Sequence, residues 1–254
     1  MVYFVGAGSG APDLITVRGA KRLQEADVII YAGSLVNPDL LSYAKEGCVV
    51  HNSAEMTLEQ VLQVMREAEA AGLTTVRLHS GDPSLYGAIR EQMEALDEAQ
   101  IPYENIPGVS SFCGAAAALR AEYTLPGISQ SVIITRMAGR TPVPQEENIR
   151  SFAAHNCTMV IFLSAGMTAA LQEELLGGGL AADTPAALVY KATWPQEKTV
   201  RCTVGTLHQA AQKNGIKGTA LILVGHFLGR NYDRSRLYDP AFTTGFRKGA
   251  DNEG

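Results

Sequence analysis

Between Val2 and Leu119 the same order of residues recurs five times: a short apolar run, a turn of small residues, and a stretch with helical spacing. The runs are Val2 to Val5, Val28 to Tyr31, Cys48 to His51, Thr75 to Leu78 and Tyr103 to Ile106. The helical stretches are Leu14 to Ala26, Pro38 to Lys45, Thr57 to Ala71, Ala88 to Ala99 and Phe112 to Leu119. In the third of them Leu58, Val61, Leu62 and Met65 recur on one face. Parallel strands need a crossover long enough to return the chain, usually a helix, so this alternation predicts a mostly parallel five-stranded sheet covered on both faces.

The rhythm breaks at Glu122 to Ile128, which holds Pro126 and Gly127, and a domain boundary is expected there. Beyond it strands are predicted at Ser131 to Arg136, Thr158 to Leu163, Ala186 to Tyr190, Lys198 to Thr203 and Ala220 to Val224. Helices fall between them at Asn148 to Ala154, Met167 to Leu176 and Gly205 to Lys213. The alternation along Lys198 to Thr203 reads as an edge strand, which points to a mixed second sheet. The expected division is an N-terminal α/β domain over 1–121, a C-terminal α/β domain over 129–229 and a tail over 230–254 without readable periodicity. The fold class is α/β with two domains.

Composition excludes several functions. A net charge of -5 leaves no overall basic field for nucleic acid. No apolar run approaches the ~18 residues of a membrane span, and Met1 leads straight into a strand without a basic leader, so a cytoplasmic protein is expected. Cys48, Cys113, Cys157 and Cys202 are far apart in apolar surroundings, which predicts buried free thiols in a reducing compartment. Neither cysteines nor histidines show metal-ligand spacing, so no protein-held metal is expected.

The turns carry the chemistry. Ligands of open α/β sheets bind outside the carboxyl ends of the strands, where His79-Ser-Gly-Asp-Pro-Ser-Leu-Tyr-Gly87 is placed. Gly81 lets a ligand approach the backbone, Asp82 suits a helix N-cap and Pro83 a first helical position. Ser110 and Ser111 suit the cap of the following Ala-rich helix. Gly6-Ala7-Gly8-Ser9-Gly10 follows the first strand, but its third glycine comes one residue too early for a dinucleotide fingerprint. No acid follows the second strand, which ends at Ala32-Gly33-Ser34. Both features argue against NAD.

Taken together, Gly6-Ala-Gly-Ser-Gly-Ala-Pro-Asp-Leu-Ile-Thr16, Ala26-Asp27-Val28, Gly81-Asp82-Pro83 and Pro107-Gly-Val-Ser-Ser111 resemble, in order and spacing, the tetrapyrrole methyltransferases of cobalamin and sirohaem synthesis. The resemblance runs over roughly residues 1–228. Within the family, Tyr31 to Val36, Thr135-Arg136 with Gly139 to Pro144, and Tyr190 to Pro195 are similar to the branch that methylates C11 of precorrin-4. The first loop departs from the family's usual Gly-Pro-Gly-Asp-Pro, with Ser9 and Ala11 in place of the first proline and the aspartate. Ala32 also stands where uroporphyrinogen-methylating relatives carry an aspartate.

The resemblance implies transfer of a methyl group from S-adenosylmethionine to precorrin-4 or cobalt-precorrin-4, in a homodimer with the active site in a cleft between its two domains. It implies cofactor contacts at Gly81, Asp82, Leu85, Ser110, Ser111, Leu163 and Ala192. A polycarboxylate substrate on an acidic protein calls for local cations, and Arg136, Arg140 and Lys191 stand in or beside the branch-specific loops. Methyl transfer from a sulfonium needs alignment above all, and no residue is assigned as a general base. Trp194 reads as a core residue between domains, with stacking on the macrocycle as the alternative. Two other functions stay open: methylation at another position such as C17 or C20, and a carrier that binds tetrapyrrole without transfer.

Overall fold

The computed structural model describes residues 1–250. Its first sheet is formed by β1 (Val2–Gly6), β2 (Val28–Tyr31), β3 (Val49–Asn52), β4 (Thr75–His79) and β5 (Tyr103–Ile106), in the order β3-β2-β4-β1-β5 and parallel throughout. The helices are α1 (Val17–Glu25), α2 (Leu58–Ala70), α3 (Arg90–Glu98) and α4 (Ser111–Leu119). Alternate strand residues face opposite ways. Val5, Ile29, Val76 and Leu78 therefore pack with Leu23 of α1 on one side, and Phe4 and Ile30 with Met65 of α2 and Leu96 of α3 on the other. Covering both faces buries the central strand β4 along its whole length.

The second sheet has the order β6-β7-β10-β8-β9, with β6 (Val132–Arg136), β7 (Thr158–Phe162), β8 (Pro185–Tyr190), β9 (Lys198–Thr203) and β10 (Ala220–Val224). The β6 and β7 strands are parallel and β7 and β10 antiparallel, so this sheet is mixed, and β9 lies at its edge. Three helices accompany it, α5 (Ile149–Ala153), α6 (Thr168–Gly177) and α7 (Leu207–Lys213). The chain packs into two compact units. One comprises Met1–Leu119, Val189–Thr199 and Thr219–Leu221; the other comprises Arg120–Leu188, Val200–Gly218 and the chain from Ile222 on. In the tail, Arg247 donates to the carbonyls of Leu237, Asp239 and Phe242, and residues 251–254 of the expected 230–254 segment lie outside the described residues.

Local chemistry moved several boundaries. The helix expected over Leu14 to Ala26 splits into a 3-10 turn at Pro12–Leu14 and α1, because the Thr16 hydroxyl accepts from the Gly19 N–H and restarts the chain as an N-cap. Pro38 to Lys45 forms a 3-10 helix over Pro38–Tyr43. The second-domain helix expected from Gly205 begins at Leu207, after a 3-10 turn over Val204–Thr206. Thr57 caps α2 with a reciprocal Gln60 contact, as its position before the apolar stripe suggests. The expectation of buried thiols is corrected: all four cysteines are free, but Cys113 is exposed and the others are partly buried. No helix among the described residues is long and apolar enough to cross a membrane.

Candidate functional site

In the first unit, the carboxyl ends of β1, β4 and β5 lie side by side, and their turns meet backbone to backbone. The Gly8 N–H donates to the Gly81 carbonyl (3.2 Å) and the Gly81 N–H to the Gly8 carbonyl (2.9 Å), an antiparallel bridge between two turns. A methyl group on Gly6 would stand 2.5 Å from the Gly108 Cα and 2.7 Å from the Gly81 carbonyl oxygen. Only residues without a side chain allow three turns to come this close. Gly81 adds a left-handed backbone (φ +61°), and the Ser110-Ser111 backbone passes directly beside it.

Asp82 does not cap a helix, which corrects the expectation for Asp82 and Pro83; α3 starts only at Arg90. Its carboxylate is already occupied. Oδ1 accepts from the Ser84 N–H (2.9 Å) and hydroxyl, and Oδ2 from the Gly108 N–H (2.8 Å). The left-handed backbones of Tyr86 and Ala88 keep the following segment out of a helix. Burial pushes the Asp82 carboxyl up, but the Ser84 hydroxyl and the Gly108 and Ser84 amides together outweigh it and hold it below the usual carboxylate range. Its charged form therefore adds stability above the ordinary carboxylate value near 4, and that share is lost as pH falls through the lower folded value. Asp82→Asn, with one acceptor oxygen where two are used, is expected to cost about 1–3 kcal/mol at pH 7. Denaturant titration at pH 7 and pH 3 checks this: the gap between variant and parent should narrow at the lower pH.

Beneath the turn, β4 turns Thr75, Arg77 and His79 toward the face that holds Phe4 and Ile30. Arg77 is buried with its Nε donating to the Gln92 side chain (3.2 Å) and Nη1 to the Ile30 carbonyl (3.1 Å). Gln92 in turn donates to the Ala88 carbonyl (2.8 Å), so a buried cation steadies the exit of the turn. Burial pulls the Arg77 guanidinium down to about 10. His79 is buried against the Phe4 ring, its Nε2 has no hydrogen-bond partner among the described residues, and burial with the nearby Arg77 charge lowers it to about 3.

The segment after β8 belongs to the same unit. Lys191 and Thr193 have left-handed backbones (φ +45° and +66°) on either side of buried Ala192. The Thr193 hydroxyl accepts from the Ala11 N–H (3.0 Å) and shares a hydrogen bond with the Ser9 hydroxyl (3.1 Å). The Lys191 ammonium lies 5.0 Å from the Trp194 ring centre and 5.7 Å from that of Tyr190. Trp194 itself is half-buried against Gly10.

The first unit thus brings together Gly81, Asp82, Ser110, Ser111, Ala192 and Lys191, together with half-buried Leu85, whose N–H bonds the Asp82 carbonyl. Arg136, Arg140 and Leu163 belong to the second unit, at the carboxyl ends of β6 and β7, where Arg136 pairs in register with Phe162. Leu163 is 59% exposed with a left-handed backbone (φ +52°), unlike a core leucine. Arg136 points its guanidinium at its own loop, bonding the carbonyls of Met137, Thr141 and Pro142, whereas Arg140 in that loop is exposed. Sequence reasoning missed Thr193 and the acceptor role of Asp82 toward Gly108, because neither a left-handed threonine nor a contact between distant turns has a local sequence signal. No cluster of metal-ligating side chains occurs among the described residues.

Comparison with known proteins bears on the same region. The sequence model of tetrapyrrole (corrin/porphyrin) methylases matches residues 1–208. The cobalt-precorrin-4 C(11)-methyltransferase of Methanocaldococcus jannaschii is 51% identical over 248 residues, covering 97% of this chain and 96% of that protein. The X-ray structure of a cobalt precorrin-4 methyltransferase, a cobalamin biosynthetic enzyme, matches with a TM-score of 0.88 and 48% identity, over 90% of this chain and 96% of that one. The uroporphyrin-III C-methyltransferase of Thermus thermophilus, solved with S-adenosyl homocysteine, matches with a TM-score of 0.75 and 28% identity over 89% and 92%. With the family model over residues 1–208 and a 51% identical relative over 97% of the chain in agreement, this chain belongs to the tetrapyrrole (corrin/porphyrin) methylases.

Proposed function

We propose that the protein transfers a methyl group from S-adenosylmethionine to C11 of precorrin-4 or of its cobalt complex. The likeness over almost the whole chain to proteins named for that reaction carries the reading. The glycine and serine turns support it, since they offer small side chains and backbone groups at the carboxyl ends of parallel strands. When bound, the sulfonium supplies a methyl group whose bond to sulfur breaks as the bond to the ring carbon forms, leaving the electron pair on sulfur.

In this reading Gly81, Asp82, Leu85, Ser110, Ser111, Leu163 and Ala192 hold the methyl donor. Asp82 acts through its grip on the Gly108 amide, which sets the distance between two of the turns. Arg140 and Lys191 meet the carboxylates of the macrocycle, and Arg136 shapes the loop that presents Arg140. The chain's main contribution is alignment, which in favourable intramolecular cases is worth ~7 to 11 kcal/mol of barrier. We further propose a cytoplasmic protein that forms a homodimer, as the resemblance in sequence implies; sedimentation of the purified protein tests the dimer.

Incubation with methyl-labelled S-adenosylmethionine and precorrin-4, with and without cobalt, should place the label at C11 by mass analysis of the product. Label at C17 or C20, or none with either ring, rejects the proposal. Arg140→Ala should raise KM for the tetrapyrrole about tenfold, as expected for one lost charged hydrogen bond, and leave S-adenosylhomocysteine affinity unchanged. Equal loss of both affinities would remove the assigned role.

A further inference from the structure

A threonine with a left-handed backbone is an anomaly that something must hold in place. Branching at Cβ makes φ near +60° unfavourable, and such residues persist only where their surroundings over-determine them. Thr193 sits at φ +66°, held at three points. Its N–H donates to the Glu197 carboxylate (2.6 Å), its hydroxyl accepts from the Ala11 N–H, and the same hydroxyl bonds the Ser9 hydroxyl.

The other partners leave room for this contact and no more. A methyl group on Gly114 of α4 would stand 2.7 Å from the Ser9 Cβ and 3.2 Å from the Thr193 Cγ2. Gly10, next to Ser9, lies directly against the Trp194 ring, and its carbonyl accepts from the buried Asn37 side chain (3.0 Å). The Lys191 N–H is in turn fixed to the Thr219 carbonyl (2.9 Å). Ser9 supplies a hydroxyl and Ala11 a backbone amide, and these are the two groups that the Thr193 hydroxyl binds.

We infer that Thr193 is a positioning residue for methyl transfer: its hydroxyl clips the Gly8 to Ala11 turn to the Lys191 to Trp194 segment and so sets the spacing at which Ala192 and Lys191 face the reactants. The inference rests on the reaction proposed above. The clip explains why an unfavourable backbone is kept at Thr193. A relaxed residue there would free the segment that carries both a proposed cofactor contact and a proposed substrate cation.

Three variants separate hydroxyl from backbone. Thr193→Val keeps the shape and the strain but loses the hydroxyl, Thr193→Gly loses the hydroxyl but relieves the strain, and Thr193→Ser keeps the hydroxyl. Transfer should follow the hydroxyl: kcat falls about tenfold in Thr193→Val and Thr193→Gly and returns to within about twofold in Thr193→Ser. Thermal stability should instead follow the backbone, with Thr193→Gly melting above Thr193→Val. Hydrogen exchange at the Ala11 amide should accelerate in Thr193→Val and stay slow in Thr193→Ser. Recovery of transfer in Thr193→Gly, or unaltered transfer in Thr193→Val, overturns the inference while the proposed reaction stands. Absence of transfer by the parent protein with either ring rejects that reaction, and the inference with it.

Discussion

Gly108→Ala is expected to weaken S-adenosylhomocysteine binding at least about tenfold, roughly 1.4 kcal/mol, and to destabilise the protein by about 1–3 kcal/mol. The backbone at Gly108 is not left-handed, so conformational strain is not the cause. Space is the cause. The added methyl would overlap the Gly81 carbonyl oxygen and stand 2.7 Å from the Gly6 Cα, and both obstacles are backbone. A flexible side chain could swing away, but here one of two strand ends must shift. Either shift strains the Gly108 N–H bond to Asp82 and the Gly8–Gly81 bridge. Gly218→Ala is the matching control, because its new methyl meets no atom within 4 Å and its backbone is not left-handed. Titration calorimetry and chemical denaturation of both variants check the prediction. If Gly108→Ala behaves like Gly218→Ala, the three turns are not packed as described.

The second large effect is a loss of stability in mild acid, with His79 as its source. The imidazole is held neutral at about 3 by burial and by the Arg77 charge, whereas an unfolded histidine protonates near 6.5. A base whose folded value is depressed contributes stability that is complete above the unfolded value and is lost as pH falls below it, because only the unfolded chain takes up the proton. From pH 7.5 to pH 5 this one group should cost about 2 kcal/mol. Ordinary carboxylates titrate mostly below that window. His79→Gln removes the titration. Its stability at pH 7.5 should fall below that of the parent, since the ring no longer packs on Phe4, but its loss between pH 7.5 and pH 5 should be about 2 kcal/mol smaller. Parallel curves for the two proteins would show that His79 is not the group responsible.

Much of the architecture was readable from residue order alone. Strand, small-residue turn and helix, repeated five times, allow few topologies other than a parallel sheet, since each parallel strand needs a crossover. The buried face of α2 follows from spacings within a dozen residues, and so does the edge position of β9. Asp82 shows where such reading stops. Its neighbours Gly81 and Pro83 make a convincing helix start, yet the carboxylate is claimed by the amide of Gly108, and the helix begins at Arg90. A local propensity of about 1 kcal/mol yields to a charged hydrogen bond formed across the sheet. Arg136 is a similar case. Its place at the end of β6, beside a loop, suggests a free cation, but three carbonyls of that loop take it up.

By itself the sequence determined the order of the elements, the two sheets and the places where small residues end the strands, because periodicity, capping and glycine chemistry act over a few residues. Which turns touch, which polar groups lose water and which side chains bend the backbone were decided only by the tertiary structure. The Gly6–Gly81–Gly108 contact, the packing of His79 against Phe4 and the Thr193 clip each join residues far apart in the chain. Their energies come from excluded volume, desolvation and paired hydrogen bonds, and these terms arise only once the sheet has brought the turns together.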